Sequence, residues 1–282
     1  MASRAIGPDL GGFNTISPGC KFFYPGFQPN TDTAVFDASG NARTLYPGAD
    51  LTTGELWAVA NKFSTEAGTS STDNALERTG TTGQEIHNFN AGESFLFHTL
   101  FTSTTPTSAN RSMFAIGNGD TTAGYHGLRL SVTTGGVLGI GVDHAGGTPT
   151  WGTTDAGGAG SGVITGASSI TYAITVAVWN HNVAAGTADF YAWIDGENGF
   201  ASATKAITGL PTSIVSTVAP RIGGRKNSTG TPYQGWPFSF ACLQAYSAPN
   251  SVTFTHAYMA SLARRLRRCP TVPLTAAEWP TS

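Results

Sequence analysis

The chain has 282 residues, of which 40 % are hydrophobic and 11 % aromatic, enough to bury a sizeable core without disulfide staples. Charged residues make up only 11 %, against about 25 % in an ordinary globular protein, while 36 residues are glycine, a composition of strands and turns. A net charge of −2 excludes a broad electrostatic footprint for nucleic acid or an anionic membrane, so neither is expected as a partner.

Residues 1–31 are rich in Pro and Gly and lack sustained periodicity, yet Phe22, Phe23, Tyr24 and Phe27 crowd together. This segment is read as an N-terminal arm, with its aromatics as interface anchors against a neighbouring chain; packing on its own domain stays open. The stretch Met1 to Pro8 has no apolar run of the kind a secretory signal needs, so synthesis and folding in a cytoplasm are expected.

From residue 32 onward short alternating runs are cut by Gly, Asn, Asp and Ser clusters, the pattern of half-buried strands joined by turns. The clearest runs are 94–101, 112–116, 127–132, 136–142, 171–179, 188–194, 219–223 and 238–246. In the first of these, Phe95, Phe97 and Phe101 share one face, with Leu96, His98 and Leu100 on the other. Both faces are apolar enough for a central strand. The expected core is Phe95, Phe97, Leu128, Leu130, Val137, Ile140, Val176, Val178, Phe190, Trp193, Ile222 and Phe240.

One helix is expected, over 255–268, with Arg264, Arg265, Arg267 and Arg268 complementing its negative C-terminal end before Pro270 stops it. The arginines are also candidate interface residues, since four exceed what the helix dipole asks for. No repeat or linker divides the strand-rich part, so the expected organisation is an arm over 1–31, one domain over 32–269 and an extended tail over 270–282.

Cys20, Cys242 and Cys269 are odd in number and widely spaced, fitting neither a disulfide framework nor a zinc motif. The six histidines show no ligating spacing, and no cofactor is expected. The acids Asp195 and Glu197 fall in a Gly-rich turn, which needs small polar residues for its own geometry. With no Gly-x-Ser-x-Gly elbow either, the chain is not expected to be an enzyme. The segment from Asp143 through His144 to Trp151 reads as a loop holding a ring, an imidazole and a carboxylate, a set suited to stacking on and hydrogen-bonding a sugar.

Taken in order, these pieces resemble the concanavalin A-like, laminin G-like sandwich family over residues 33–266. The run Phe36-Asp-Ala-Ser-Gly-Asn-Ala resembles the family's early turn, and Phe95–Phe101 its first long strand. The strands around Trp179 and Asp195-Gly, the return strand Ala219-Pro-Arg-Ile-Gly-Gly and the late helix follow in the family's order. The resemblance implies an all-β, two-sheet antiparallel jelly-roll sandwich with one short C-terminal helix. It also leaves open a calcium ion at the rim, held by Asp143 or Asp195, and it lacks the family's Glu-x-Asp-x-Glu glucanase strand.

Such a fold without a secretory signal suits a bacteriophage virion protein, made in the host cytoplasm and released by lysis. The expected function is therefore structural, as a capsid decoration or tail-fibre-associated protein. Its expected partners are other virion proteins and further copies of itself, as a homo-oligomer such as a trimer. The alternative is a carbohydrate-binding adhesin or receptor-binding module that takes a host surface glycan.

Overall fold

A computed structural model of the chain describes residues 19–29, 32–41, 43–66, 73–78, 89–90, 93–103, 111–116, 127–132, 138–143, 150–153, 171–182, 187–196, 199–208, 213–214, 220–226, 232–233, 235–249, 255–270, 272–275 and 278. In chain order the strands are β1 (Cys20–Pro25), β2 (Tyr46–Pro47), β3 (Phe63–Ser64), β4 (Leu76–Glu77), β5 (Phe89–Asn90), β6 (Glu93–Ser103), β7 (Arg111–Ile116), β8 (Gly127–Val132) and β9 (Leu138–Asp143). They continue as β10 (Thr150–Thr153), β11 (Thr171–Asn182), β12 (Thr187–Gly196), β13 (Gly199–Thr208), β14 (Ser213–Ile214), β15 (Arg221–Ile222), β16 (Arg225–Lys226), β17 (Pro232–Tyr233) and β18 (Phe238–Pro249). The helices are the single turn α1 (Thr53–Leu56) and the longer α2 (His256–Arg268).

Two seven-stranded antiparallel sheets dominate. The first runs β1-β18-β6-β11-β12-β13, with β3 also on β18, and the second runs β10-β9-β8-β7-β15-β4-β2. Their facing sides share one core, where Phe114 of the second sheet meets Phe97 and Phe22 of the first at ring-centroid distances of 4.8 and 5.7 Å. Of the expected core residues, Phe97, Leu130, Ile222 and Phe240 are buried there. Val137 lies outside the described residues, and the others occupy the strands expected of them.

The alternation read in β6 has a physical counterpart on each side. Phe97 and Phe101 face the second sheet, while Leu96 and Leu100 belong to a second cluster covered by α2. That helix packs across β6, β11 and β12 through Met259, Ala260, Leu262, Ala263 and Leu266, and Thr255 caps it by accepting from the Tyr258 N–H at 3.2 Å.

Two expectations are corrected at the chain ends. Residues 20–25 are an edge strand of the first sheet, so the boundary expected after residue 31 falls inside the fold. Phe22, Phe23 and Tyr24 are at most 2 % exposed within their own chain and cannot serve as contacts to a neighbour. The reason is two-sided burial: Phe22 and Tyr24 face the inter-sheet core, whereas Phe23 joins the cluster beneath α2. Phe27 sits half-buried just beyond the strand. At the other end the expected tail is tied down, with Leu274 buried in the α2 cluster and its N–H donated to the Tyr246 hydroxyl at 2.8 Å.

The Asp-x-Ser-Gly-Asn turn finishes the β1 edge. The Asp37 carboxylate accepts from the N–H groups of Phe23 (3.0 Å) and Ser39 (2.9 Å), Ala38 N–H donates to Phe23 O, and Asn41 Nδ2 donates to the carbonyls of Cys20 and Lys21. Gly40 supplies the φ of +87° that closes the turn. The strand edge that would otherwise recruit a further strand is thus covered by its own chain.

Candidate functional site

The register of the second sheet sorts its residues into cross-strand rows. One row runs Ile140, Leu130, Phe114, Ile222 and Leu76, and its described side chains belong to the inter-sheet core. One position along each strand lies a second row: Trp151 on β10, Gly141 on β9, Arg129 on β8, Ala115 on β7, Arg221 on β15, Glu77 on β4 and Tyr46 on β2. Because alternate strand residues point to opposite faces, the described side chains of this row, those of Ala115, Arg221, Glu77 and Tyr46, lie on the outer side of the sheet.

At its centre the Arg221 guanidinium donates to the Glu77 carboxylate through Nη1 and to the Asp73 carboxylate through Nη2. Arg221 is 1 % exposed, and its planar fork holds both acids in fixed positions. Glu77 and Asp73 keep partial access to solvent, with side chains 19 % and 18 % exposed. Asp73 is further fixed because its N–H donates to the Asp50 carboxylate at 2.6 Å. Gly48 lets the chain after β2 approach closely, since a Cβ there would lie 2.2 Å from the Asp73 carbonyl oxygen. Tyr46, at the end of the row, is 44 % exposed.

The other end holds two of the expected ligand residues. Thr150–Thr153 is a strand and not the expected loop; it pairs with β9 so that Trp151 stands opposite Gly141, with Asp143 two residues farther along β9. Diagonal positions of this kind lie about 7–8 Å apart, within reach of one bound ring. Gly141 offers no side chain between Arg129 and Trp151, and Gly139 is likewise bare, pairing with Thr153 on one side and Ser131 on the other. β10 also lies beside β13, so this end of the row is where the edges of the two sheets meet. His144 lies outside the described residues.

The register thus brings Asp143 and Trp151 together and adds Tyr46, Asp73, Glu77, Arg129 and Arg221, which sequence reasoning did not single out. Their signal is invisible along the chain, because neighbours in the row come from strands as far apart as residues 77 and 221. Among the described side chains the row holds the exposed Tyr46 ring and, beside it, the Glu77 and Asp73 carboxylates held by the buried Arg221. Asp195 lies next to the end of β12, opposite Phe200 on β13, in the other sheet, and Glu197 lies outside the described residues. Among the described residues no group of three or more His, Cys, Asp or Glu could hold a metal ion, and no helix is long and apolar enough to cross a membrane.

The arginines of α2 divide. Arg264 and Arg268 are exposed, but Arg265 is an internal clamp: it pairs with Glu278 and donates to the carbonyls of Val272 (3.2 Å) and Pro273 (3.0 Å). Its place among the expected interface residues is corrected for that reason. Arg267 is half-buried.

No protein-family model matches the chain, and no curated protein matches it. Among solved structures it is similar to the Ruminococcus gnavus IT-sialidase CBM40 bound to α2,6 sialyllactose, with 16 % identity and a TM-score of 0.43, over 62 % of this chain and 84 % of that one. It is also similar to the Trypanosoma rangeli sialidase in complex with sialic acid, with 11 % identity and a TM-score of 0.47, over 90 % of this chain and 33 % of that one. A xylan β-1,4-xylosidase from Bacillus halodurans gives 12 % identity and a TM-score of 0.37, over 68 % and 34 %. The chain spans about a third of the length of these two enzymes. With TM-scores below 0.5, neither fold nor function is carried over from these likenesses.

Proposed function

We propose that the chain is a non-enzymatic carbohydrate-binding module, a jelly-roll sandwich of the concanavalin A/laminin G-like kind that takes a surface glycan on the outer side of its second sheet. The observation that carries this reading is the cross-strand row from Trp151 to Tyr46. Rings stack on the apolar face of a sugar, and fixed carboxylates and guanidinium groups bond its hydroxyls. Trp151 opposite Gly141, with Asp143 beside them, is the stacking end of the site.

The test is a glycan array followed by calorimetry on the glycan retained. Trp151→Ala should weaken binding about two- to tenfold, the 0.5–1.5 kcal/mol of a stacked ring pair, and Arg129→Ala about tenfold or more, the 1.5–3 kcal/mol of a hydrogen bond to a charged group, with circular dichroism unchanged. Full affinity in both folded variants would remove the row from consideration.

A second reading is a structural role on a virion, as a capsid decoration or tail-fibre-associated protein made in a host cytoplasm. It is favoured by the exposed Arg264 and Arg268, one turn apart on the free side of α2, which suit attachment to an acidic neighbouring surface. Reversing both to Glu should abolish incorporation into particles while leaving the glycan affinity intact.

A further inference from the structure

Beneath α2 the first sheet carries a polar ladder sealed from solvent. Thr175 on β11, His98 on β6 and Gln244 on β18 are successive partners across the sheet, and each is 0 % exposed. His98 Nδ1 and the Thr175 hydroxyl are hydrogen-bonded at 2.9 Å. The Tyr246 hydroxyl donates to Gln244 Oε1 and accepts the N–H of Leu274, so the ladder ends on the segment that follows α2. His98 Nε2 is buried and has no hydrogen-bond partner among the described residues.

We propose that α2 together with the segment through Glu278 forms an acid-released strap, held shut while His98 is neutral and released when that imidazole takes a proton.

An imidazolium has two N–H donors, and closure leaves the second without an acceptor. The groups facing His98 supply no negative charge. Thr175 and Gln244 are neutral, and the Cys242 thiol is pushed up to about 12, chiefly by burial, so it stays protonated. On β1 and β18 the Cys20 thiol, pushed up to about 12, and the Tyr246 phenol, also raised, are both shifted mainly by burial and stay neutral as well. From α2 the charge that bears on His98 is the Arg265 guanidinium, which repels a proton there. The Glu278 carboxylate is already engaged by Arg265 and by the Thr275 N–H (2.8 Å) and hydroxyl (3.0 Å).

The strap is also the element that yields most easily. Each strand around His98 is hydrogen-bonded to neighbours on both sides, whereas among the described residues no backbone–backbone hydrogen bond joins α2 to a strand. Side chains hold α2, through Met259, Leu262 and Leu266 in the buried cluster and the Arg265 clamp, while the segment behind it is also tied by its backbone, through the Leu274 N–H on the Tyr246 hydroxyl and a β-bridge at Thr275.

Burial first, and Arg265 second, hold His98 down to about 3, against 6.5 for a solvated imidazole. The open form therefore binds a proton between these values and the closed form does not, so closure is fully favoured above 6.5 and is lost as the pH falls towards 3. Between pH 7.5 and 4.5 the population of the open strap should rise about hundredfold.

The experiment is amide hydrogen exchange read by mass spectrometry on the full chain across that pH range, corrected for the intrinsic pH dependence of exchange. The expected result is a rise of about hundredfold in opening for peptides within 256–278, with β6, β11 and β18 protected throughout, and a flat profile in His98→Gln and His98→Asn. If the helix opens equally at both pH values, or opens only together with those strands, the strap does not exist. A local rise that persists in folded His98 variants would equally overturn the role of His98. Should both variants misfold, the parent chain still decides, because helix and sheet are read separately.

Discussion

The two faces of the first sheet are covered by different means. Towards the second sheet it presents rings, Phe22, Tyr24, Phe97, Phe101, Tyr172, Phe238 and Phe240, several of them in mutual contact. Towards α2 it presents Leu96, Leu100, Ala173 and Cys242 interleaved with His98, Thr175 and Gln244. The first interface joins two extended sheets and is lined chiefly by rings, the buried Thr99 hydroxyl among them being satisfied by the Cys242 carbonyl at 2.8 Å. The second is one helix on a mixed surface, where every buried polar atom needs a partner supplied from within. One sheet thus has a permanent side and a conditional one.

Cutting into the permanent side should cost most. Phe97→Ala removes a fully buried ring packed at 4.8 Å on Phe114 and should lower stability by about 3–5 kcal/mol, read as a denaturation midpoint shifted at unchanged slope. An equal loss from truncation beneath the helix would erase the distinction. Leu266→Ala, 0 % exposed on α2, should cost about 2–3 kcal/mol in global unfolding, at the low end for a leucine because the helix can settle into the gap. Hydrogen exchange in α2 should respond more than exchange in β18. Smallest of all, Glu278→Gln loosens a clamp whose acid is 31 % exposed, and its effect on the midpoint should stay within about 1 kcal/mol. That variant sharpens the comparison if exchange in α2 nonetheless rises at neutral pH.

Strands whose apolar or β-branched runs are bounded by turn residues were legible from residue order, among them β6, β8, β11 and β12, as was the helix α2. β1 was not: both of its faces are buried, as in β6, but its run is short and hemmed in by turn-forming residues. A run of Phe22, Phe23 and Tyr24 among prolines and glycines then reads as an arm. β13 escaped notice because Ala, Ser, Thr and Lys in Gly199–Thr208 carry little apolar period.

The register of β18 was hidden for another reason. A shift between Phe240 and Cys242 puts Phe238, Phe240, Leu243 and Ala245 on one face, with Cys242 and Tyr246 on the other. Strict alternation would have sent Phe240 to the same side as Cys242. Gly26 fits the irregularity, donating its N–H to Ala241 O at 2.7 Å where a Cβ would collide with the Phe240 carbonyl. Two residues of the candidate site, Asp143 and Trp151, could be named from chemistry. The rest depended on pairings between distant strands.

The position of β18 has a consequence for how the chain is made. It lies between β6 on one side and β1 and β3 on the other, yet it begins at residue 238. β1 therefore leaves the ribosome about two hundred residues before its partner, a delay of roughly 10–40 s at 5–20 residues per second. Through that interval the Phe22–Tyr24 segment has no strand to join, and the first sheet cannot close in the order of synthesis. Folding of this half waits for β18, is slow for its size, and is most exposed to misassociation while the Phe22–Tyr24 segment is unpaired.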